Sequence, residues 1–232
     1  VKKYKYIFFD LDHTLWDFEK NSTLVLKDLF EEHQISSTGE NISLEAFLEE
    51  YEKVNHQLWA LYNKDEISKE DLRDSRFTTV IRNLGGNPDL ISANLGEVYL
   101  EKSPHMPHVF PNTFETLEAL KSQYPLYIIT NGFEEVQHIK MEASKLAPYF
   151  EAVFTSEKAG YKKPHKGIFN FAMETIEAQP EECIMIGDNF DTDIAGAKKA
   201  QIDHIFFNPT RKKHGKKIQH EVHDLIQILD IL

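Results

Sequence analysis

The stretch Tyr6-Ile7-Phe8-Phe9-Asp10-Leu11-Asp12-His13-Thr14-Leu15-Trp16 reads as a buried strand that breaks on two carboxylates. Its first half is apolar and aromatic without polar alternation, as in a strand covered on both faces. In extended chain, residues i and i+2 project to the same side, so Asp10 and Asp12 can face one ligand at the strand exit. One such acid can attack while the other moves protons. Taken alone, two acids spaced like this are more often a solvated turn. The segments downstream decide otherwise.

Four more short apolar runs follow, at residues 126–130, 152–155, 183–187 and 204–207, separated by helical segments rich in Leu, Ala and Ile. With a first strand at 4–10 they predict right-handed βαβ units and a doubly wound α/β domain with a five-stranded parallel sheet. Between residues 21 and 102 the periodicity is helical instead. Val25/Leu29 and Leu26/Phe30 are i, i+4 pairs, and Leu44, Phe47, Leu48, Tyr51 and Leu58 form a second stripe. Ser68 and Asp71 resemble a capping box opening a third helix through Phe77, Val80, Ile81 and Leu84, stopped by Gly85-Gly86. Asn87-Pro88 read as N-cap and first residue of a fourth, carrying Ile91, Leu95 and Val98. The expected organisation is an α/β core over 1–16 and 104–232, interrupted by a four-helix insertion over 17–103. In such sheets ligands sit at the carboxyl ends of the strands, and a bundle inserted there would form a lid.

The totals narrow the function classes. A chain of 232 residues with 41% hydrophobic and 28% charged residues is composed like a soluble globular protein of one domain plus a smaller one. No apolar run approaches the ~20 residues that span a bilayer, and the first residues lack the apolar region of a signal peptide. No membrane association and a cytoplasmic location are therefore expected. The single Cys183, in an apolar run, reads as a small buried hydrophobe. A net charge of −12 disfavours a nucleic-acid polymer as partner, because polymer binding draws on neutralised backbone phosphates. A small phosphate ester needs only a local positive field, from a divalent cation and one lysine. The basic run from Arg211 to Lys217 has no interleaved aromatics and reads as a solvated loop.

The chemistry-bearing residues stand where strands end. Asp10 and Asp12 follow the first strand, Thr130-Asn131-Gly132 the second, and Asp188 to Asp193 the fourth, while Lys163-Pro164 precede a helix. Phosphoryl transfer through an aspartyl ester needs this set: a carboxylate nucleophile, a cation, donors for phosphate oxygens and a proton shuttle. Carboxylates beside a phosphate repel, which calls for Mg²⁺ held by a few carboxylate oxygens and water. Asp188 suits a second metal ligand, and Asp193 a water-holding or Lys163-orienting role outside the ligand shell. Thr130 offers a hydroxyl, and the Asn131-Gly132 turn offers backbone N–H groups for phosphate. Lys163 would neutralise phosphate, with Pro164 as first residue of the next helix.

The chain closely resembles the haloacid dehalogenase superfamily of phosphohydrolases over essentially its whole length. The resemblance lies in Asp10-Leu11-Asp12-His13-Thr14, Ile129-Thr130-Asn131-Gly132, Lys163-Pro164 with Gly167-Ile168-Phe169, and Gly187-Asp188 to Asp193-Ile194. It implies Asp10 as nucleophile, Asp12 as general acid/base, Thr130 and Lys163 as phosphate binders, and Mg²⁺ held by Asp10, the Asp12 main-chain carbonyl and Asp188. The insertion then resembles the family's small helical cap, which closes over substrate and excludes water. The resemblance also implies that dehalogenases and phosphonate hydrolases lack the second acid, which an ester leaving group requires.

Within the superfamily, Trp16-Asp17-Phe18, Leu58-Trp59-Ala60-Leu61-Tyr62 with Arg73 and Arg76, and Phe206-Phe207-Asn208-Pro209 are most similar to bacterial pyrimidine 5′-nucleotidases that clear noncanonical nucleotides. Trp16, Phe18, Trp59 and Tyr62 are candidates for stacking a base, with Arg73 and Arg76 as further specificity candidates, although aromatics at helical spacing are more often core. The expectation is a Mg²⁺-dependent phosphatase of a small phosphorylated metabolite, a nucleoside 5′-monophosphate foremost. A sugar phosphomutase of the same superfamily is the second reading, and a phosphorylation-responsive module akin to receiver domains the third. Receiver domains are about half this length and carry no helical insertion. Oligomeric state is not legible in the chain.

Overall fold

The computed structural model describes residues 3–91 and 93–232. The chain forms two compact units, Val1–Phe18 with Pro107–Leu232, and Glu19–Met106. The first unit is built on a fully parallel sheet of β1 (Tyr6–Phe9), β2 (Leu126–Thr130), β3 (Ala152–Thr155), β4 (Cys183–Gly187), β5 (Asp203–Phe207) and β6 (His220–Val222). Spatial order is β3-β2-β1-β4-β5-β6, so the strand order reverses at β1. Phe8, Tyr127, Ile129, Phe154, Met185 and Ile168 pack into one core, which is why these strands read as continuous apolar runs.

The sixth strand corrects the expected five. β6 pairs with β5 at the sheet edge, and of its three residues only Val222 is buried. A three-residue edge strand with two polar members has no apolar run for a pattern to reveal.

In the second unit, α1 (Phe18–Glu32, from Glu19 on), α2 (Leu44–Asn63), α3 (Lys69–Asn83) and α4 (Leu95–Lys102) enclose Val25, Leu29, Phe47, Tyr51, Phe77 and Tyr99. Ser68 caps α3 in the expected box: its hydroxyl accepts from the Asp71 N–H while the Asp71 carboxylate accepts from the Ser68 N–H, both at 3.0 Å. The fourth helix starts later than the Asn87-Pro88 signal suggests. Those residues open only a 3₁₀ turn, Pro88–Leu90, and Asn94 caps α4 by accepting from the Gly96 N–H at 3.0 Å. Leu90 is 63% exposed, so the earlier turn buries nothing that would extend it. Ser92, inside the expected helix, lies outside the described residues.

The remaining helices belong to the first unit: α5 (Thr113–Lys121), α6 (Glu134–Ala143), α7 (Ser156–Ala159), α8 (Lys166–Thr175) and α9 (Ala195–Lys199). Pro164 does not begin α8. The cap is His165, whose Nδ1 accepts from the Gly167 N–H at 3.0 Å, and the helix starts two residues after the proline. A π-helical turn, Phe190–Ile194, leads into α9. Among the described residues no helix is long and apolar enough to cross a membrane.

His204 on β5 is buried, and that burial, together with nearby Lys198, holds its imidazole pKa below the ordinary value. The unfolded chain then binds a proton near pH ~6.5 that the folded chain resists. Stability is fully present above that value and falls as pH drops through the folded pKa. The melting temperature should decline on acidification below pH ~6.5, and His204→Phe should flatten that slope in thermal melts at a series of pH values.

Candidate active site

Asp10 follows β1, Thr130 ends β2 and Asp188 follows β4, and these are three adjacent strands at the point where the order reverses. The Asp10 N–H donates to the Ile186 carbonyl at 2.9 Å, which carries the ladder one residue past β1 and aims the side chain out of the sheet end. Carboxylate oxygens of Asp10, Asp188 and Asp193 lie within 4.8 Å of one another. Asp193 reaches the cluster from the π-helical turn, where it accepts from the Asn189 N–H at 3.0 Å. Gly187 makes that possible, because a Cβ there would stand 2.3 Å from Asp193 Oδ2. Thr14 orients Asp188, its hydroxyl donating to Oδ1 at 3.0 Å while accepting from the Asp188 N–H at 3.2 Å.

Lys163 is 2% exposed and sits among these acids. Its Nζ is 2.6 Å from Asp10 Oδ1, 2.7 Å from Asp193 Oδ1 and 2.8 Å from the Ile129 carbonyl, which uses all three of its protons. Asn131 clamps the backbone behind it: Oδ1 accepts from the Lys163 N–H at 2.7 Å and Nδ2 donates to the Lys163 carbonyl at 2.9 Å. The Asn131 side chain therefore places Lys163 rather than facing a phosphate. The neighbouring Gly132 N–H is also committed, donating to Thr130 Oγ1 at 3.0 Å.

Three carboxylates, Asp10 and Asp193 buried and Asp188 half-buried, stand here against one ammonium. Burial and the carboxylates of Asp193 and Asp188 push the Asp10 pKa up, opposed by Lys163. Burial and Asp193 push Asp188 up to about 8. Burial would lower Lys163, but Asp10 and Asp193 more than offset it and raise its pKa. Fully ionised, the cluster would be short of positive charge by about two units, and the raised carboxyl pKa values express that deficit. Hard oxygen donors converging with that charge deficit fit a divalent cation of the Mg²⁺ kind.

Asp12 has a different setting. Its Oδ1 accepts from Lys140 Nζ at 2.5 Å and its Oδ2 from Gln137 Nε2 at 2.8 Å, both residues on α6. Burial alone would raise its pKa, but Lys140 and Gln137 outweigh burial and hold the carboxyl below the usual range. The two acids of the opening stretch are therefore separated electrostatically, one in the carboxylate cluster and one against a lysine.

A family model described as haloacid dehalogenase-like hydrolase matches residues 4–201. The chain belongs to that family. It is an enzyme family of hydrolases, and relatives of this chain are named phosphatases and nucleotidases. The HAD-hydrolase YfnB of Bacillus subtilis is 29% identical over all of this chain and 97% of its own length. Its crystal structure, bound to magnesium and described as revealing interdomain movement, matches with a TM-score of 0.88 at 28% identity over 99% of both chains. The pyrimidine 5′-nucleotidase PynA of Streptococcus pneumoniae is 30% identical, covering 99% of this chain and 95% of its own. The pyrimidine 5′-nucleotidase YjjG of Escherichia coli is 28% identical over 98% of each.

Some specificity candidates are not available to a ligand. Trp16 is 0% exposed and belongs to the α/β unit of this family member, bridged to Val109 and lying under the Lys140 ammonium at 4.4 Å from its ring centroid. Arg76 is 4% exposed, donates to the Tyr51 hydroxyl at 3.1 Å and lies 5.6 Å from the Tyr99 ring centroid, so its charge is absorbed in the core of the helical unit. Tyr62 is buried, with its ring edge-on to Trp59 at 5.5 Å. Trp59, Arg73 and Phe18 are half-buried, the last stacked on His13 at 4.6 Å.

Sequence reading gave no role to Thr14, Gln137 or Lys140. Thr14 lies inside the quoted stretch and was open to notice as a hydroxyl two residues past the second acid. Gln137 and Lys140 carry no such signal, because a Gln and a Lys one turn apart on a helix ordinarily mark a solvated face.

Proposed function

We propose that this chain is a Mg²⁺-dependent phosphomonoesterase that works through a phosphorylated Asp10, with a nucleoside 5′-monophosphate, foremost a pyrimidine one, as substrate. The observation that carries the reading is the unequal setting of the two acids: Asp10 within the carboxylate cluster beside Lys163, Asp12 held apart by Lys140 and Gln137.

In this mechanism a carboxylate oxygen of Asp10 attacks phosphorus as the ester P–O bond breaks, and Asp12 delivers its proton to the departing alkoxide oxygen. Thr130 donates to a phosphate oxygen, and Lys163 holds Asp10 in line. Water then attacks the aspartyl phosphate, gives a proton to Asp12 and releases phosphate with the Asp10 carboxylate restored. Bound Mg²⁺, on Asp10, Asp188 and the Asp12 main-chain carbonyl, would supply the charge that lets an anionic nucleophile meet an anionic ester. Asp193 is assigned to hold Lys163.

The nucleotide assignment is supported by the two pyrimidine 5′-nucleotidases similar to nearly the full chain. Selection among esters is assigned to the helical unit as the family's cap, with Trp59 and Arg73 as its remaining candidates. The reading is tested with a panel of pyrimidine, purine and sugar monophosphates compared by kcat/KM, with and without metal. Pyrimidine monophosphates should lead, activity should vanish in EDTA, and Mg²⁺ should restore it. A faster sugar phosphate would overturn the substrate assignment, isomerisation without phosphate release would favour the mutase, and full activity in EDTA would remove the metal.

A further inference from the structure

Gln137 and Lys140 stand one turn apart on α6 and face inward. Gln137 is 0% exposed, and its amide donates both to Asp12 Oδ2 at 2.8 Å and to Thr130 Oγ1 at 2.7 Å. The Lys140 side chain is 8% exposed, gripping Asp12 Oδ1 on one side with the Trp16 ring on the other. Gly132 is the third member. Its φ is not positive, so backbone conformation does not call for glycine, yet a Cβ there would stand 2.0 Å from Gln137 Nε2 and 2.5 Å from Cδ. The Gln137 side chain fills the space that a side chain at position 132 would need.

We propose that Gln137 and Lys140 are positioning residues that lock the Asp12 carboxyl and the Thr130 hydroxyl into one hydrogen-bonded unit, with Gly132 as its clearance, and that this unit sets how well the leaving oxygen is protonated. The inference deepens the proposed function and rests on Asp12 being its acid/base. An ionised carboxylate has about four lone-pair positions, and one donor on each oxygen fixes its plane while leaving one position per oxygen for a travelling proton or a water. Thr130 Oγ1 accepts from both Gln137 and the Gly132 N–H, so its own proton is left as a donor for a phosphate oxygen. Because one amide serves both partners, the acid/base and the phosphate contact share a single reference point. A misplacement of about 1 Å at such a point is enough to lose roughly a hundredfold in rate.

The test is leaving-group dependence, which a merely structural role would not move. kcat/KM covers the steps up to departure of the leaving group; an alkoxide needs the proton of Asp12, whereas p-nitrophenolate departs without it. Lys140→Met, which frees Asp12 without touching Thr130, should lower kcat/KM for a nucleoside monophosphate by roughly tenfold to a hundredfold and for p-nitrophenyl phosphate by less than about threefold, whereas Gln137→Leu and Gly132→Ala, which also loosen Thr130, should lower both and the nucleotide more. In an Asp12→Asn background Lys140→Met should add no further loss. Equal losses on both esters in any of the three variants, or a Lys140→Met loss that adds to that of Asp12→Asn, would overturn the proposal, as would unchanged nucleotide turnover in all three variants. If Asp12→Asn alone keeps full nucleotide turnover, the acid/base reading itself fails and the proposal goes with it.

Discussion

Asp10→Asn is expected to lower hydrolysis of any phosphate ester by at least about ten-thousandfold, because a neutral amide is no nucleophile and no second carboxylate has the same place. Asp188 is held by Thr14, Asp193 by Lys163 and the Asn189 N–H, and Asp12 by Lys140 and Gln137. None is free to substitute. The fold should survive. Burial and the neighbouring acids raise the Asp10 pKa, so its ionised form opposes folding above the unfolded carboxylate pKa, and Asn removes that opposition while Lys163 keeps Asp193. In metal-free buffer at neutral pH the variant should melt no lower than the native chain. A variant that retained turnover, checked by phosphate release, would remove Asp10 from the chemistry.

Lys163→Met should act on stability and activity together. The substitution keeps length and apolar bulk but leaves Asp10 and Asp193 buried without their shared cation, and removing one partner of a buried pair costs about 3–5 kcal/mol. The melting temperature should fall accordingly, and Mg²⁺ should recover more of it than it adds to the native chain, since the added charge meets a larger deficit. Turnover should stay at least about a hundredfold down even with Mg²⁺, because the Asp10 carboxylate is no longer held in line. Paired thermal melts and assays across a magnesium titration check this. A variant as stable as the native chain would mean that Lys163 does not balance the cluster.

The fold was legible where burial leaves a mark on composition. β2, β3 and β4 stand at the residues their apolar runs indicated, because strands covered on both faces are apolar throughout. β6 was not, since a short edge strand with two polar residues looks like loop. The α3 cap was readable because Ser68 and Asp71 make their hydrogen bonds locally, whereas the competition between Asn87 and Asn94 is decided by how little Leu90 buries, which is a tertiary matter. Asp10, Lys163, Asp188 and Asp193 lie together in space. The roles of Gln137 and Lys140 come from which face of α6 turns toward Asp12. Periodicity cannot tell a solvated polar pair from one folded inward. Arg76 errs the opposite way, a charge at helical spacing absorbed by Tyr51 and Tyr99.

In the proposed cycle the phosphoryl group passes to Asp10 and then, with Asp12, to water. An Asp12→Asn variant mixed with p-nitrophenyl phosphate and Mg²⁺ should complete the first step and stall at the second, since the aryl leaving group needs no proton and the water does. Rapid acid quench, borohydride reduction and peptide mapping by mass spectrometry then read the enzyme directly. A burst of nitrophenol should be matched by phosphorylation of Asp10, read as homoserine at position 10 after reduction. Label on another residue, or continued native-rate turnover with Asp10 unmodified, would contradict it.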